Sequence, residues 1–203
     1  MIDIEANRCY TIDRLTSTER PGIDELIEYM DEAKFFTSPC STQYHLCCNG
    51  GLAEHSINVY HHMKSISQAL CDIENVPSED TIIICSFLHD LGKVGDFGKA
   101  LYVENLIKDG RPTKALPEQM YKQSLTKPFV GNSDILNIPH EVTSVITARR
   151  FIELTEDEQH AILFHSGMYG DLRYAWQGHE TNLDLLLHFA DMWSSRTEMK
   201  HGI

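Results

Sequence analysis

The chain has 203 residues, of which 42% are hydrophobic, and its formal net charge at pH 7 is −13. This length predicts one domain, or two at most, with enough apolar residues to build a core. The acidic balance argues against binding to long duplex nucleic acid, which requires Lys and Arg against phosphates, and against an anionic membrane surface. A small phosphorylated substrate remains compatible with this charge if a metal ion supplies local positive charge.

The cysteines and the N-terminal residues of the sequence indicate the cellular compartment. The six cysteines include no Cys-x-x-Cys pair, so we expect reduced, mostly buried thiols rather than a disulfide frame or a thiolate zinc site. Residues 1–5 lack the basic and apolar regions of a signal peptide. No uninterrupted apolar stretch reaches the ~18 residues of a membrane span. We therefore expect a cytoplasmic protein without a membrane partner.

Helical periodicity begins after an N-terminal segment. Residues 1–21 lack clear periodicity, whereas apolar residues recur at helical spacing from Ile23 and predict a helix to about Phe36. A loop then leads to a Gly-Gly turn, and a second helical stripe begins at Leu52. His55 falls inside this stripe, so its side chain is expected to face the core, either as a hydrogen-bonded core histidine or as a ligand.

The apolar run over residues 82–88 permits two interpretations. Its three consecutive isoleucines favour a buried strand. Ser78 is a suitable N-cap and Gly92 a suitable C-terminal stop for a helix over the same residues. Periodicity does not decide between the two, and the helical neighbours favour a helix.

Residues 93–138 have a different composition, with several glycines and prolines. The dipeptide Asp109-Gly110 predicts a hairpin turn after an apolar segment. Residues 93–127 carry seven Lys or Arg and four Asp or Glu, a net charge of +3 against −16 for the rest of the chain. This segment is either an ordinary solvated loop or a lid that presents basic groups to an anionic substrate.

Three more helices are predicted beyond this segment, over about 139–151, 155–167 and 181–199. Pro139 suits the first turn of a helix. Thr155 and Thr181 each begin a capping-box pattern, in which an acidic residue follows three positions later.

The pentapeptide His89-Asp90-Leu91-Gly92-Lys93 follows the apolar run. Adjacent imidazole and carboxylate side chains give a cation two ligands at one backbone point, and further ligands must come from elsewhere. Asp191 lies on the apolar stripe of the last helix, where an unpaired carboxylate is costly and needs a cation or a donor. One ion would explain why the first four candidates all face inward: His55, His89, Asp90 and Asp191. His140 and His165 could complete a second site.

Imidazole and carboxylate ligands suit Mn, Fe, Zn, Co or Ni better than Ca. One or two such divalent ions allow a protein to hydrolyse a phosphoester at neutral pH, because they activate water, offset the phosphoryl charge and stabilise the leaving oxygen.

Four segments carry a family resemblance. Residues 50–56 (GGLAEHS), 87–93 (FLHDLGK), 161–167 (AILFHSG) and 187–191 (LHFAD) occur in this order. Together they resemble the HD superfamily of metal-dependent phosphohydrolases, over most of the chain. The sequence is similar to the HD domains of 3′–5′ exoribonucleases and to small stand-alone HD hydrolases.

The resemblance implies an all-α fold, a helical bundle of the HD-domain type with a small β-hairpin insertion after the His-Asp signature, at about 94–138. It implies a single domain overall, in which an N-terminal segment and helix (1–37) pack on an HD domain (38–203).

The resemblance also implies the roles of site residues. The primary metal would be held by His55, His89, Asp90 and Asp191, and the second by His140 and His165. Asp90, as the bridging ligand, and Lys93 would be the catalytic residues. Lys93 would contact the substrate phosphate; its alternative is a charge that complements a helix end. We also expect His45 and Arg149 to bind substrate, with a polar loop residue and an exposed helix-end charge as the alternatives.

The expected function is a metal-dependent phosphohydrolase that cleaves a phosphomonoester or phosphodiester of a nucleotide or short oligonucleotide. The alternative is a catalytically degenerate HD domain that binds a nucleotide or a protein partner as a sensor. The complete ligand set favours the enzyme, and the acidic surface is compatible with the sensor.

Overall fold

The structure, a computed structural model, describes residues 2–70, 76–114 and 116–198. The protein is mostly helical, with two small antiparallel sheets. The helices of the described residues are α1 (Ile4–Thr16), α2 (Ile23–Glu32), α3 (Gly51–Ala69), α4 (Glu79–Leu88), α5 (His140–Ala148), α6 (Glu156–Phe164), α7 (Arg173–Trp176) and α8 (Asn182–Thr197). Short 3-10 turns over Leu91–Val94 and Gly167–Tyr169 follow α4 and α6.

Local capping chemistry sets several helix ends. The ambiguous run is a helix, α4, whose first turn is capped by the Ser78 hydroxyl accepting from the Thr81 N–H at 3.2 Å. Both predicted capping boxes are present, at Thr155 before α6 and at Thr181 before α8. The helix from Ile23 ends at Glu32, earlier than predicted, because Lys34 adopts a φ of +63° that a helix cannot continue.

Helix α1 has no counterpart in the predicted elements. Its N-terminus is capped by Asp3, whose carboxylate accepts from the Ala6 N–H at 3.0 Å. Only Thr11 and Leu15 are buried within it, so it lacks the apolar stripe that makes a helix visible in a sequence.

The core lies among α3, α4, α6 and α8. Helix α3 packs against both α4 and α8, and α6 packs against α8 and α4. Helices α1 and α2 cover this group, and Leu15, Leu26 and Met30 join the same buried cluster as Leu52 of α3 and Leu187 of α8. This packing brings the inner faces of α3, α4 and α8 together at one end of the bundle.

The segment between α4 and α5 forms a narrow β-ribbon. Strand β1 (Tyr102–Glu104) pairs with β4 (Phe129–Gly131), and β2 (Leu106–Lys108) pairs with β3 (Tyr121–Gln123), both antiparallel. An inserted β-structure is therefore present, in two nested pairs of strands rather than one hairpin.

The predicted tight turn at Asp109-Gly110 is wrong in its length. The Asp109 N–H donates to the Met120 carbonyl at 2.8 Å, so the chain makes an excursion over 109–120 before it returns. Pro112 and Pro117 lie in this excursion, and each lacks the N–H that a continuing strand ladder requires. Gly110 still provides a bend, with a φ of +70°.

Two further expectations concern the cysteines and the membrane. Cys40, Cys47 and Cys85 are buried free thiols and Cys9 is an exposed one, while Cys71 lies outside the described residues. Within the described ranges, no helix combines the length and the apolar character that crossing a bilayer requires.

Candidate metal centre

Five helices contribute side chains to one buried cluster. Two of its histidines occupy equivalent places, since His89 is the C-cap of α4 and His165 is the C-cap of α6. The others come from α3, from the first residue of α5 and from α8: His55, His140 and Asp191. Asp90 follows His89 and lies among all of them, with only 1% of its side chain exposed.

The two oxygens of Asp90 each face a different pair of histidines. Oδ2 lies 3.5 Å from Nε2 of His55 and 3.4 Å from Nε2 of His89. Oδ1 lies 3.2 Å from Nε2 of His140 and 3.4 Å from Nε2 of His165. Oδ1 is buried and receives no well-directed hydrogen bond from the described residues. A single carboxylate thus stands between two imidazole pairs.

The helix ends fix the rings of His89 and His165 in the same way. Nδ1 of His89 lies 2.8 Å from the Ser86 carbonyl, and Nδ1 of His165 lies 2.8 Å from the Ile162 carbonyl. Carbonyls in the last turn of a helix lack a partner within the helix and can only accept. Each Nδ1 therefore carries a proton, and each Nε2 faces Asp90 at 3.4 Å.

A carboxylate orients His55. Both oxygens of Glu198 lie 3.0 Å from its Nδ1, and Asn58 holds Glu198 through an Nδ2–H bond of 3.0 Å. The opposite nitrogen, Nε2, lies 3.0 Å from Oδ1 of Asp191. A histidine whose outer nitrogen donates to a carboxylate is the usual arrangement of a metal-ligating imidazole.

A second carboxylate stands behind His140. Oε2 of Glu141 lies 3.2 Å from Nδ1 of His140, and the Ser166 hydroxyl donates to Oε1 of Glu141 at 2.7 Å. His188 supports the same region, because its Nδ1–H donates to the His165 carbonyl at 2.9 Å. Hence His140, like His55, has an acidic partner that favours a proton on Nδ1.

Gly92 allows α5 to pack close to the His-Asp signature. A Cβ at this position would lie 2.3 Å from the His140 carbonyl oxygen, and the Gly92 N–H donates to the Ser144 hydroxyl at 2.8 Å. Any other residue would push the start of α5 outward. The glycine is therefore required for the position of His140 beside Asp90. It does not end α4 as predicted, because α4 stops at Leu88 and Gly92 lies inside the 3-10 turn that follows.

Lys93 neutralises Asp90. Its Nζ donates to Oδ2 at 2.6 Å. Burial by itself would raise the pKa of Asp90, but Lys93 and the neighbouring His89 outweigh it and hold that pKa well below its usual range. Burial would likewise lower the pKa of Lys93, and Asp90 holds it well above its usual value. Both groups are charged at neutral pH.

The spacing of the candidate ligand atoms matches a transition-metal site. Ligands about 2.1 Å from one ion in a tetrahedral arrangement lie about 3.4 Å apart. The Nε2 atoms of His55 and His89 are 3.4 Å apart, and the contacts of His55 with Asp90 and Asp191 are 3.5 and 3.0 Å. The four residues could hold one ion. A second ion could be held by Oδ1 of Asp90 with His140 and His165. The ligand atoms of Glu141, His140 and His165 all lie within 4.8 Å of one another.

The structure brings two of the three predicted substrate-binding residues to the cluster. Lys93 contacts Asp90, and the His45 ring lies 5.0 Å from the His55 ring. Burial lowers the pKa of His45 to about 4, so it is neutral at pH 7. Arg149 is not brought there. It caps the opposite end of α5 from His140, roughly 13 Å along the helix axis, and donates to Gln159 at 2.8 Å.

Three residues of the cluster have no counterpart in the predicted site: Cys40, Glu141 and Glu198. Sγ of Cys40 lies 3.3 Å from Nε2 of His45, and burial raises the pKa of this thiol to about 12, which keeps it protonated. Glu198 is the C-cap of α8 and follows Asp191 by seven residues, about two helical turns, which places it on the same side of the helix; that spacing was a usable signal. Nothing in the sequence of the irregular loop singled out Cys40.

The β-ribbon meets the cluster at its base. Tyr102 of β1 is half-buried; burial raises its pKa and the nearby Lys93 opposes that shift. The basic residues farther along, Arg111 and Lys114, are exposed. No protein-family model, curated protein or solved structure matches this chain.

Proposed function

We propose that the protein is a metal-dependent phosphohydrolase of the HD type, which cleaves a phosphoester of a nucleotide or short oligonucleotide. The position of Asp90 carries the proposal. Its two oxygens each face an imidazole pair at 3.2 to 3.5 Å, and a buried bridging carboxylate between two nitrogen pairs suits a centre of one or two ions.

The first ion would be held by His55, His89, Asp90 and Asp191, and the second by Asp90, His140 and His165. When bound, Mn, Fe, Zn, Co or Ni would lower the pKa of a water, offset the phosphoryl charge and stabilise the leaving oxygen. Cys40 lies within ligand distance of His45 and His55, but it is not needed as a ligand because imidazoles and carboxylates already provide both positions.

The protein's own side chains would orient the substrate. Four of the histidines have an acceptor at Nδ1, which fixes the rings before a ligand arrives and limits reorganisation. Lys93 is the cation nearest to Asp90 and would pair with a phosphate oxygen. His45, neutral and half-buried, would offer a hydrogen bond on the same side. Access would come past the partly exposed members, since Asp191 and His140 expose 20% and 24% of their side chains.

One observation favours the alternative, a degenerate HD domain that senses a nucleotide or a protein partner. The 2.6 Å ion pair between Lys93 and Asp90 satisfies the lysine within the protein. A lysine that stays in this pair would not reach a phosphate, and the centre would then bind a ligand without cleaving it.

Turnover assays with metal-loaded protein separate the two functions. The full chain would be loaded with each candidate ion and assayed with a chromogenic phosphomonoester, a phosphodiester, nucleotides and short oligonucleotides. The proposal expects turnover of at least one class, reduced at least about 100-fold in Asp90→Asn, which keeps the shape but removes the charge. Nucleotide binding without turnover for any ion would favour the sensor.

A further inference from the structure

The outer part of the β-ribbon is exposed and apolar. We call residues 106–123 the arm; it contains β2, β3 and the excursion between them. All three residues of β2 are exposed, as are two of three in β3. Leu106, Met120 and Tyr121 expose more than half of their surface, at 55%, 57% and 55%. A lone two-stranded ribbon is at best marginally stable, and clustered exposed apolar side chains mark an interaction surface.

The arm is also basic, and much of its charge lacks a partner. Lys122 pairs with Asp109 at 2.8 Å. Lys108, Arg111 and Lys114 are exposed and form no ion pair with any residue that the structure describes. A partner surface should therefore carry negative charge beside apolar groups.

Helix α2 offers such a surface. It buries its apolar side against the core, and its opposite side carries four exposed carboxylates without an ion pair among the described residues: Asp24, Glu25, Glu28 and Glu32. Only Asp31 of this helix is paired, with Arg8 at 2.6 Å. Tyr29 and Ala33, half-buried and one turn apart, provide apolar surface beside the carboxylates.

We infer that the arm docks on α2 of a second copy of this chain, and that two reciprocal contacts close a symmetric dimer. Charge complementarity identifies the occupant. Residues 93–127, which include the arm, carry a net charge of +3, and the rest of the chain carries −16. The exposed apolar side chains of the arm include one aromatic ring, Tyr121, against the non-aromatic Leu106, Ile107, Leu116 and Met120. This composition favours a protein surface over nucleic acid, whose bases stack on aromatic rings.

Matched charge reversals test the contact. The arm variant is Lys108→Glu with Arg111→Glu, and the helix variant is Glu28→Lys with Glu32→Lys. Sedimentation equilibrium of the full chain should give twice the chain mass for the wild type, with weaker association at higher salt. Each variant alone places like charges against each other in both contacts, which should raise the dimer dissociation constant at least about 100-fold.

Mixing the variants gives the decisive result. An acidic arm then meets a basic helix and a basic arm meets an acidic helix, so an equimolar mixture should form a heterodimer. Lys127→Glu and Glu153→Lys, exposed reversals outside both surfaces, should dimerise like the wild type, and circular dichroism checks the fold of every variant. A wild type of single-chain mass at every concentration overturns the inference, as does a mixture that stays monomeric. A wild type that associates only through bound nucleic acid overturns it as well.

Discussion

The Nε2 atoms of His55 and His89 lie 3.4 Å apart inside the protein. The Nδ1 atom of each ring faces an acceptor, Glu198 in one case and the Ser86 carbonyl in the other. Each Nδ1 therefore carries a proton, and the two inner nitrogens face each other. Burial by itself would lower the pKa of His55, but the groups around it, Cys40 and the carboxylates of Asp191 and Glu198, outweigh burial and raise that pKa well above its usual value. Without metal, a proton on Nε2 of His55 can fill the space between the rings. A cation shared by the two Nε2 atoms would replace that proton, and the neighbouring carboxylate of Asp90 adds the charge to hold it.

The Glu198 carboxylate should tune the affinity of the centre for metal. Glu198→Ala removes the acceptor of His55 Nδ1–H, which leaves the ring free to turn, and we expect a loss of about 10- to 100-fold in metal affinity. Glu198→Gln keeps a carbonyl acceptor and should recover part of it. Affinity is measured by competition with a chromogenic chelator. Glu153→Ala, an exposed change, is the control, and equal affinity in all four proteins would refute the orienting role.

Histidines 140 and 165 distinguish one ion from two. If they hold a second ion with Oδ1 of Asp90, His140→Ala and His165→Ala should each remove about one equivalent of metal while the first ion remains. Elemental analysis gives the stoichiometry, and His179→Ala, exposed and remote from the cluster, is the control. Unchanged stoichiometry in both variants would indicate a mononuclear centre in which these histidines contact substrate.

Lys93 should act on turnover. A charged hydrogen bond to phosphate contributes roughly 1.5–3 kcal/mol, which corresponds to about 10- to 100-fold in rate if it forms mainly in the transition state. Lys93→Ala should lose that much turnover on the best substrate while keeping its metal. Lys93→Arg should recover only part, because a planar guanidinium does not reproduce a point charge. Wild-type turnover in Lys93→Ala would leave the lysine as a counter-charge to Asp90 alone.

Arg20 should stabilise the fold independently of the centre. Its guanidinium donates to both oxygens of Glu158, a carboxylate of α6 with no exposed surface. Arg20→Ala leaves this buried charge without its cation and should cost about 3 kcal/mol in the free energy of unfolding. The matched control is Arg150→Ala, whose more exposed pair with Asp96 should contribute less than about 1 kcal/mol. Urea denaturation measures both, and equal losses would contradict this account.

Local chemistry made the helical framework predictable. Thr155 and Thr181 each carry their own capping box, and these boxes form as the sequence indicates. The sequence predicts a helix end at Gly92, whereas α4 ends at Leu88. The constraint that the structure places on Gly92, the 2.3 Å approach of the His140 carbonyl to a would-be Cβ, arises only when α5 packs against the His-Asp signature.

Features that depend on distant parts of the chain were not predictable. Glu198 reaches His55 across 143 residues of sequence, and only the packing of α8 on α3 creates that contact. The length of the excursion after β2 depends on the register that pairs Lys108 with Tyr121, which no local turn signal specifies. Helix α1 has a clear cap at Asp3 but too few buried positions to show a stripe.

The central claim, that Asp90 bridges a metal centre, is tested most directly by elemental analysis of protein purified from metal-replete cells. The wild type should contain about one or two equivalents of a transition metal, and Asp90→Ala should lose most of it. Because the substitution also leaves Lys93 without its partner, circular dichroism must show that the variant is folded. Asp157→Ala, an exposed carboxylate change, should keep its metal. A metal-free wild type, or an Asp90→Ala protein that retains its full metal content, would contradict the claim.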